Sequence, residues 1–380
     1  MPATPDVGWI LAPAICKSVV LPAPLGPKTT HRSPSLMRQE TSSNKVVLPR
    51  TTRTEANSRT SPITMTLGHF IHRTRTVLLS RLEAMPALFT AFCYTSATNY
   101  LLPEPFLDEI RHFGAIVGAA RKFSSPDYSG YAIDVKTADR QGLRLALSAT
   151  IAEATPAEQL EISLVPATLR SSQPKLFVLD VDSTLIQQEV IELLASYAGR
   201  ETEVRHVTEA AMRGELDFAQ SLHARVAMLA GLPETVLDEV QAAIRFSPGA
   251  ERLVSAAVAN GHKVAAVSGG FTQILDPLAA QLGLHHAAAN ELEIVSGQLT
   301  GRVLGDVIDR AAKEKALRLW GETEGIPLAA TIAIGDGAND LDMMAAAGLS
   351  LAYNAKPAVR EAADAAIWRL DLALELAGIH

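Results

Sequence analysis

Leu176-Phe177-Val178-Leu179-Asp180-Val181-Asp182-Ser183-Thr184 is an apolar run that stops abruptly at two aspartates spaced i, i+2, with two small hydroxyl residues after them. A short, uninterrupted run of β-formers reads as a strand buried on both faces, the pattern of a parallel sheet. In open parallel sheets ligands bind just beyond the carboxyl ends of the strands, which is where Asp180 falls. One carboxylate there suits a nucleophile or metal ligand, and the next can handle protons. A DxD pair is common, so its meaning depends on the strand ends further along the chain.

There are two more of these. Lys263-Val264-Ala265-Ala266-Val267 runs into Ser268-Gly269-Gly270-Phe271, where two glycines let the backbone approach a ligand and N–H groups at a helix start favour an anion. Thr331-Ile332-Ala333-Ile334-Gly335 then ends in Asp336-Gly337-Ala338-Asn339-Asp340. Between them lies Lys313, in the polar segment Asp309-Arg310-Ala311-Ala312-Lys313. Taken singly, Asp336 fits a helix cap, Ser268-Gly269-Gly270 a simple turn and Lys313 a surface lysine. Together, three carboxylates, one lysine and one Ser-Gly-Gly turn at one sheet edge describe a site for a metal and a phosphate. Carboxylate oxygens suit a hard cation such as Mg²⁺.

DVDST, SGGF, the spaced Lys313 and GDGAND resemble the four motifs of the haloacid-dehalogenase-like phosphatases. Glu189, Met212-Arg213-Gly214-Glu215-Leu216-Asp217-Phe218, Ser221-Leu222-His223-Ala224-Arg225-Val226, Ala289-Asn290-Glu291-Leu292 and Asn354-Ala355-Lys356-Pro357 narrow the likeness to the phosphoserine phosphatases, over residues 174–376. The resemblance implies an α/β, Rossmann-like parallel sheet core with an inserted helical cap. It implies hydrolysis of O-phosphoserine with Asp180 as nucleophile and Asp182 as acid and base. It places Mg²⁺ on the Asp180 side chain, the Asp182 backbone carbonyl and Asp336, and the phosphate on Ser268, Gly269, Lys313 and Asn339. Asp340 is expected to orient Lys313 or a metal-bound water. A phosphatase or phosphotransferase for another small phosphate, such as phosphohomoserine, would share all of these motifs.

The cap is expected at residues 188–245, where stretches at 190–197, 204–212, 218–229 and 233–243 show apolar spacings of three and four. Such a cap excludes water from an acyl-phosphate and carries the groups that read the substrate. By residue type alone, Glu189 and Arg225 are equally ordinary on a solvated helix face. The resemblance assigns Arg225 to the α-carboxylate and Glu189 to the α-ammonium of the substrate. Met212 and Phe218 fit a pocket lining as well as plain cap core. Residues 290–294 and 298–303, around Ser296-Gly297, read as a structural hairpin, and His285 and His286 as packing residues.

The chain has 380 residues, 48% hydrophobic and 20% charged, enough for two or three domains. A net charge of −7 argues against nucleic acid as a partner. Cys16 and Cys93 are too few for a disulfide scaffold. No apolar stretch approaches the ~20 residues that span a bilayer, so neither a membrane nor a membrane-bound pump is expected and a cytoplasmic enzyme is. Residues 1–64 carry eight Lys and Arg against three acids, leaving −12 to the remainder. Rich in Thr, Ser and Pro and without periodicity, they read as a disordered leader, an over-extended start ahead of Met65 or Met85, or a transit peptide.

Residues 86–165 suggest a small ferredoxin-like (ACT-like) α+β domain in the order βαββαβ, with strands at 87–93, 115–119, 128–135 and 159–164 and helices at 104–113 and 139–152. Packing or dimerisation (hence a homodimer) is one role for such a module, and amino-acid sensing is the alternative. Ser171-Ser172-Gln173-Pro174 reads as the linker to the phosphatase segment, 174–380.

Overall fold

The computed structural model describes residues 85–98, 100–153, 160–212 and 215–379. The segment read as a leader, Met65, and Gln159 of the last strand expected in the small module lie outside them.

The module comprises β1 (Ala87–Thr95), α1 (Glu104–Phe113), β2 (Ala115–Ile116), β3 (Arg121–Ser125), β4 (Tyr128–Thr137), α2 (Arg140–Glu153) and β5 (Glu161–Pro166). The strands form an antiparallel sheet in the order β2-β4-β1-β5, with β3 also on β4, the ferredoxin-like arrangement. The strand expected at 115–119 shrinks to two residues because Gly118 turns left-handed (φ 86). A further strand, β3, forms a tight hairpin with β4, in which Ser125 faces Tyr128. Its sequence, Arg-Lys-Phe-Ser-Ser, is that of a polar edge strand and shows no apolar alternation.

The module's sheet is covered on both faces. Ala91, Cys93, Ile133 and Val135 pack with Phe106, Ile110, Leu143 and Leu147 of the two helices. Phe92, Tyr94, Tyr128 and Ala132, pointing the other way as strand geometry requires, join the core of the segment that follows the module. There the Tyr94 hydroxyl donates to the Ala366 carbonyl (2.8 Å) and its ring stacks on Trp368, while Arg140 pairs with Asp364 (2.6 Å).

That segment is built on a seven-stranded sheet in the order β12-β11-β10-β6-β7-β8-β9. These are β6 (Leu176–Leu179), β7 (Lys263–Phe271), β8 (His286–Val295), β9 (Gln298–Leu304), β10 (Thr331–Gly335), β11 (Leu349–Tyr353) and β12 (Ala365–Ile367). All neighbours are parallel except the β8–β9 hairpin. Leu176, Phe177, Val178 and Leu179 are each 0% exposed, as a strand between two others and two helical layers must be. The chain runs from β6 through β7 to β8 on one side and resumes at β10 on the other. The switch point of the sheet therefore lies at the end of β6, where the crevice opens.

Between β6 and β7 the chain leaves the sheet for four helices, α3 (Val190–Tyr197), α4 (Glu201–Met212), α5 (Phe218–Ala227) and α6 (Val236–Ala243). It returns through α7 (Ala250–Ala259). The outgoing and returning strands of this cap are zipped together: Gln187 N–H donates to the Arg245 carbonyl (3.0 Å) and Arg245 N–H to Gln188 Oε1 (3.0 Å). The hairpin props the far end of the cap, where Gly231 and Glu234 N–H donate to the Leu299 and Gly297 carbonyls. Among the described residues no helix is long and apolar enough to cross a membrane.

Candidate active site

The ends of β6, β7 and β10 lie side by side. Asp180, directly after β6, remains extended, and its N–H donates to the Ile334 carbonyl of β10 (2.9 Å), fixing the two strand ends together. The next five residues, Val181–Leu185, wind into one wide turn closed by Leu185 N–H to the Asp180 carbonyl (3.2 Å) and Ile186 N–H to the Val181 carbonyl (3.0 Å). Such a turn reverses the chain within a few residues and brings Asp182 back over the edge that Asp180 occupies.

Lys313 sits in the first turns of α8 (Arg310–Thr323), whose start is capped by the Asp309 carboxylate accepting from Ala312 N–H (2.9 Å). Only 1% of its side chain is exposed, and its ammonium donates to Asp180 Oδ1 (2.5 Å) and Asp340 Oδ1 (2.7 Å). Burial alone would lower the Lys313 pKa, but the charges of Asp180 and Asp340 outweigh it and hold the ammonium above its usual range. Asp340 is buried too, and its second oxygen accepts from Gly337 N–H (3.0 Å).

Asp182 is held by groups from two other elements. Its Oδ1 accepts from Val190 N–H, at the start of the cap (2.9 Å), and its Oδ2 from the Ser268 hydroxyl at the end of β7 (3.3 Å). Burial, and after it the negative charge of Glu189, pushes its pKa up to about 7. Burial and the neighbouring charges of Asp340 and Glu189 push Asp336 up to about 6, although the Thr184 hydroxyl donates to it (3.2 Å). Asp180 is likewise raised by burial and by Asp340, against the pull of Lys313.

Oxygens of Asp180, Asp336 and Asp340 all lie within 4.8 Å of one another. Three carboxylates face one ammonium, an excess of negative charge that water does not screen. This donor set fits a hard divalent cation, whose charge would offset what Lys313 leaves over.

Ser268 and Gly269 stand on the opposite side of the crevice. The Ser268 hydroxyl, buried, accepts from Gly270 N–H (2.7 Å), which folds the loop back on itself. A Cβ at Gly269 would meet the tip of the Phe218 ring at 2.8 Å, so the cap rests directly on the Gly269 backbone. Phe218, which its sequence left between pocket lining and cap core, is thus a lid over this loop. Asn290, read as part of a structural hairpin, spans two loops of the site. Its side chain donates to the Gly269 carbonyl (2.8 Å) and accepts from Ile308 N–H (2.8 Å). The available signal was an asparagine inside an apolar strand, a group that must find partners when buried.

Glu189 is exposed at the mouth of the crevice, and its Oε1 accepts from the Ser183 hydroxyl (2.7 Å). Arg225 lies half-buried on α5, with Nε donating to the Ser221 carbonyl (3.2 Å). Burial lowers its pKa, while the charges of Glu189 and Asp182 raise it, so both carboxylates act on it electrostatically. Asn339 is half-buried in the short turn Ala338–Asp340 after β10, its amide oxygen against Gly337. Asp180, Asp182, Ser268, Lys313, Asp336 and Asp340 thus lie together at the ends of β6, β7 and β10, while Glu189 and Arg225 come from the start of the cap and from α5.

Residues 177–345 match the haloacid dehalogenase-like hydrolase family. Over 247 residues the chain is 55% identical to a phosphoserine phosphatase of Streptomyces coelicolor, covering 64% of this chain and 59% of that one. A phosphoserine phosphatase of Streptococcus thermophilus is 48% identical over 197 residues, 52% of this chain and 92% of the relative. The crystal structure of a probable phosphoserine phosphatase of Vibrio cholerae superposes with a TM-score of 0.60 at 36% identity, covering 78% of this chain and 88% of that one. The chain thus spans less than two thirds of the Streptomyces relative and nearly the whole of the Streptococcus one.

Proposed function

We propose that this chain, which belongs to the haloacid dehalogenase-like hydrolases and among them to the phosphoserine phosphatases, hydrolyses O-phospho-L-serine to L-serine and phosphate as a cytoplasmic enzyme of serine biosynthesis. The observation that carries the reading is Asp182, a carboxyl group poised at about 7 two residues beyond a lysine-paired aspartate. A group that must give a proton and then take one back works best with a pKa near the operating pH.

An Asp180 oxygen attacks phosphorus as the bond from phosphorus to the serine oxygen breaks. Asp182 passes its proton to that departing oxygen. Asp182, now a carboxylate, takes a proton from water as the water attacks phosphorus and expels the Asp180 carboxylate. Lys313, Ser268, the Gly269 N–H and Asn339 bind the phosphoryl oxygens. Asp340, with both oxygens already engaged by Lys313 and Gly337, orients the lysine. As the resemblance implies, Asp180, Asp336 and the Asp182 carbonyl would hold Mg²⁺, which would supply charge against the phosphate oxygens. Glu189 takes the substrate ammonium and Arg225 its carboxylate. Residues 188–245 act as the cap over this chemistry, and residues 86–165 as a packing module.

The test is phosphate release from phosphoserine, phosphothreonine, phosphohomoserine, glucose phosphate and an aryl phosphate, with and without Mg²⁺. A Mg²⁺-dependent preference for phosphoserine is expected. Activity centred on another phosphate would keep the core chemistry and overturn the roles of Glu189 and Arg225.

A further inference from the structure

Ser183 stands between the two aspartate-bearing ends of the site and contacts neither the phosphate loop nor Lys313. Its backbone is left-handed (φ 56, ψ 4), one of three non-glycine residues with positive φ among the described residues. A side chain in that region is strained, and glycine would relieve the strain. What serine contributes there is its hydroxyl. Left-handed geometry at this position turns the chain so that Ser183 N–H donates to the Gln188 carbonyl (3.2 Å) and Ser183 O–H to Glu189 Oε1 (2.7 Å). The two bonds close the loop from 183 to 188 at both its backbone and its tip. The carboxylate they hold acts electrostatically on Asp182, Asp336 and Arg225 together, so Ser183 fixes where the charge facing the substrate's cationic end is placed.

We infer that Ser183 is a positioning residue that sets recognition of the substrate's ammonium by holding the Glu189 carboxylate over the crevice. This deepens the proposed function and rests on Glu189 reading the ammonium. An exposed glutamate on a loop samples many rotamers, and each one frozen before binding is freedom that the substrate does not have to remove. Because the Ser183 hydroxyl bonds Glu189, and the bound ammonium offsets the Glu189 charge felt by Asp182, loss of the hydroxyl acts on KM for phosphoserine.

The experiment is a double-mutant cycle on the full chain with Mg²⁺, using Ser183→Ala, Ser183→Gly, Glu189→Ala and Ser183→Ala/Glu189→Ala. Each variant is assayed on phosphoserine and on an aryl phosphate, with Tm as the structural readout. Ser183→Ala is expected to raise KM for phosphoserine about tenfold, the worth of one hydrogen bond to a charged group, with kcat within about twofold. Activity on the aryl phosphate is expected to stay within about twofold. Ser183→Gly is expected to raise KM as much while its Tm stays at or above that of the parent, since glycine removes the strain but not the need for the hydroxyl. Glu189→Ala is expected to raise KM further, and adding Ser183→Ala to it to change nothing more. Two results overturn the inference. One is an unchanged KM in Ser183→Ala where Glu189→Ala raises it. The other is equal losses on both substrates, which would make Ser183 structural. A Glu189→Ala variant with unchanged KM would instead overturn the ammonium reading itself, and the inference with it.

Discussion

Replacing Lys313 by methionine keeps most of the unbranched stem of the side chain and deletes its charged end. The parent buries one ammonium between two carboxylates at 2.5 and 2.7 Å, with side-chain exposures of 1% for Lys313, 5% for Asp180 and 0% for Asp340. Removing one partner of a buried ion pair leaves an uncompensated charge, at a cost of about 3–5 kcal/mol. At about 2–4 °C per kcal/mol for a domain of this order, the metal-free variant should melt on the order of 10 °C lower at pH 8. The pH dependence separates charge from packing. Without Lys313 the Asp180 carboxyl loses the charge that opposes its burial, so its folded-state pKa lies well above its unfolded one and the folded state binds more protons. Stability then falls as pH rises from near 4 through the raised value, and the deficit should shrink as pH drops toward 5. Added Mg²⁺ should restore part of it, since a cation offsets the same charge. Thermal unfolding monitored by circular dichroism at pH 5, 6.5 and 8, with chelator and then with Mg²⁺, measures all three effects. A deficit of the same size at pH 5 and pH 8 would show lost packing rather than lost charge. A Tm within about 3 °C of the parent at pH 8 would mean that the Asp180–Lys313–Asp340 arrangement does not hold this edge together.

Asp182→Asn keeps an acceptor for Val190 N–H but cannot hand on a proton; turnover should fall by at least 10². In the parent, Asp182 is raised to about 7, a burden on the fold that is present above neutral pH and lost below about 4, so the metal-free variant's Tm gain should be larger at pH 8 than at pH 5. Gly269→Ala sets a methyl group 2.8 Å from the Phe218 ring, an overpacking worth about 1–3 kcal/mol between cap and loop. Its kcat/KM on phosphoserine should fall about tenfold or more, and Phe218→Leu in the same chain should recover most of the loss; no recovery would mean that the cap does not rest there.

How far the sequence discloses this molecule depends on whether a feature is local. Asp180, Ser268 and Asp336 were legible because each interrupts an apolar strand, and parallel strands align their ends. The contact of Lys313 with Asp180 was not, and its contact with Asp340 came only as one of two alternatives implied by the resemblance, since residues 133 and 27 positions apart meet only through the sheet order. The strand at Arg121–Ser125 gave no signal because an exposed edge needs no apolar alternation. The burial of the module's second sheet face did leave a trace. Ala91-Phe92-Cys93-Tyr94 is apolar on both alternating sets, which a sheet with one solvated face would not tolerate, yet it passed as an ordinary strand. Ser183 was the least legible, because its role depends on a backbone angle that serine seldom adopts.

Burial and then the charge of Glu189 are the two largest causes of the raised Asp182 pKa. A substrate that sets an ammonium beside Glu189 cancels the second cause and leaves the first. Asp182 then becomes a stronger acid in the complex with phosphoserine than in the complex with an aryl phosphate, which brings no cation. The phosphate and any bound metal ion are common to the two complexes and drop out of the comparison. Since kcat falls on the alkaline side as the acid loses its proton in the bound state, that fall should begin at lower pH with phosphoserine than with the aryl phosphate. In Glu189→Gln the aryl phosphate limb should itself move to lower pH, because the charge that raised Asp182 is gone. The measurement is kcat against pH from 5 to 9 on both substrates, in parent and variant. Alkaline limbs that coincide in the parent, or a phosphoserine limb at the higher pH, would separate the cap's recognition of the amino-acid end from the proton on Asp182.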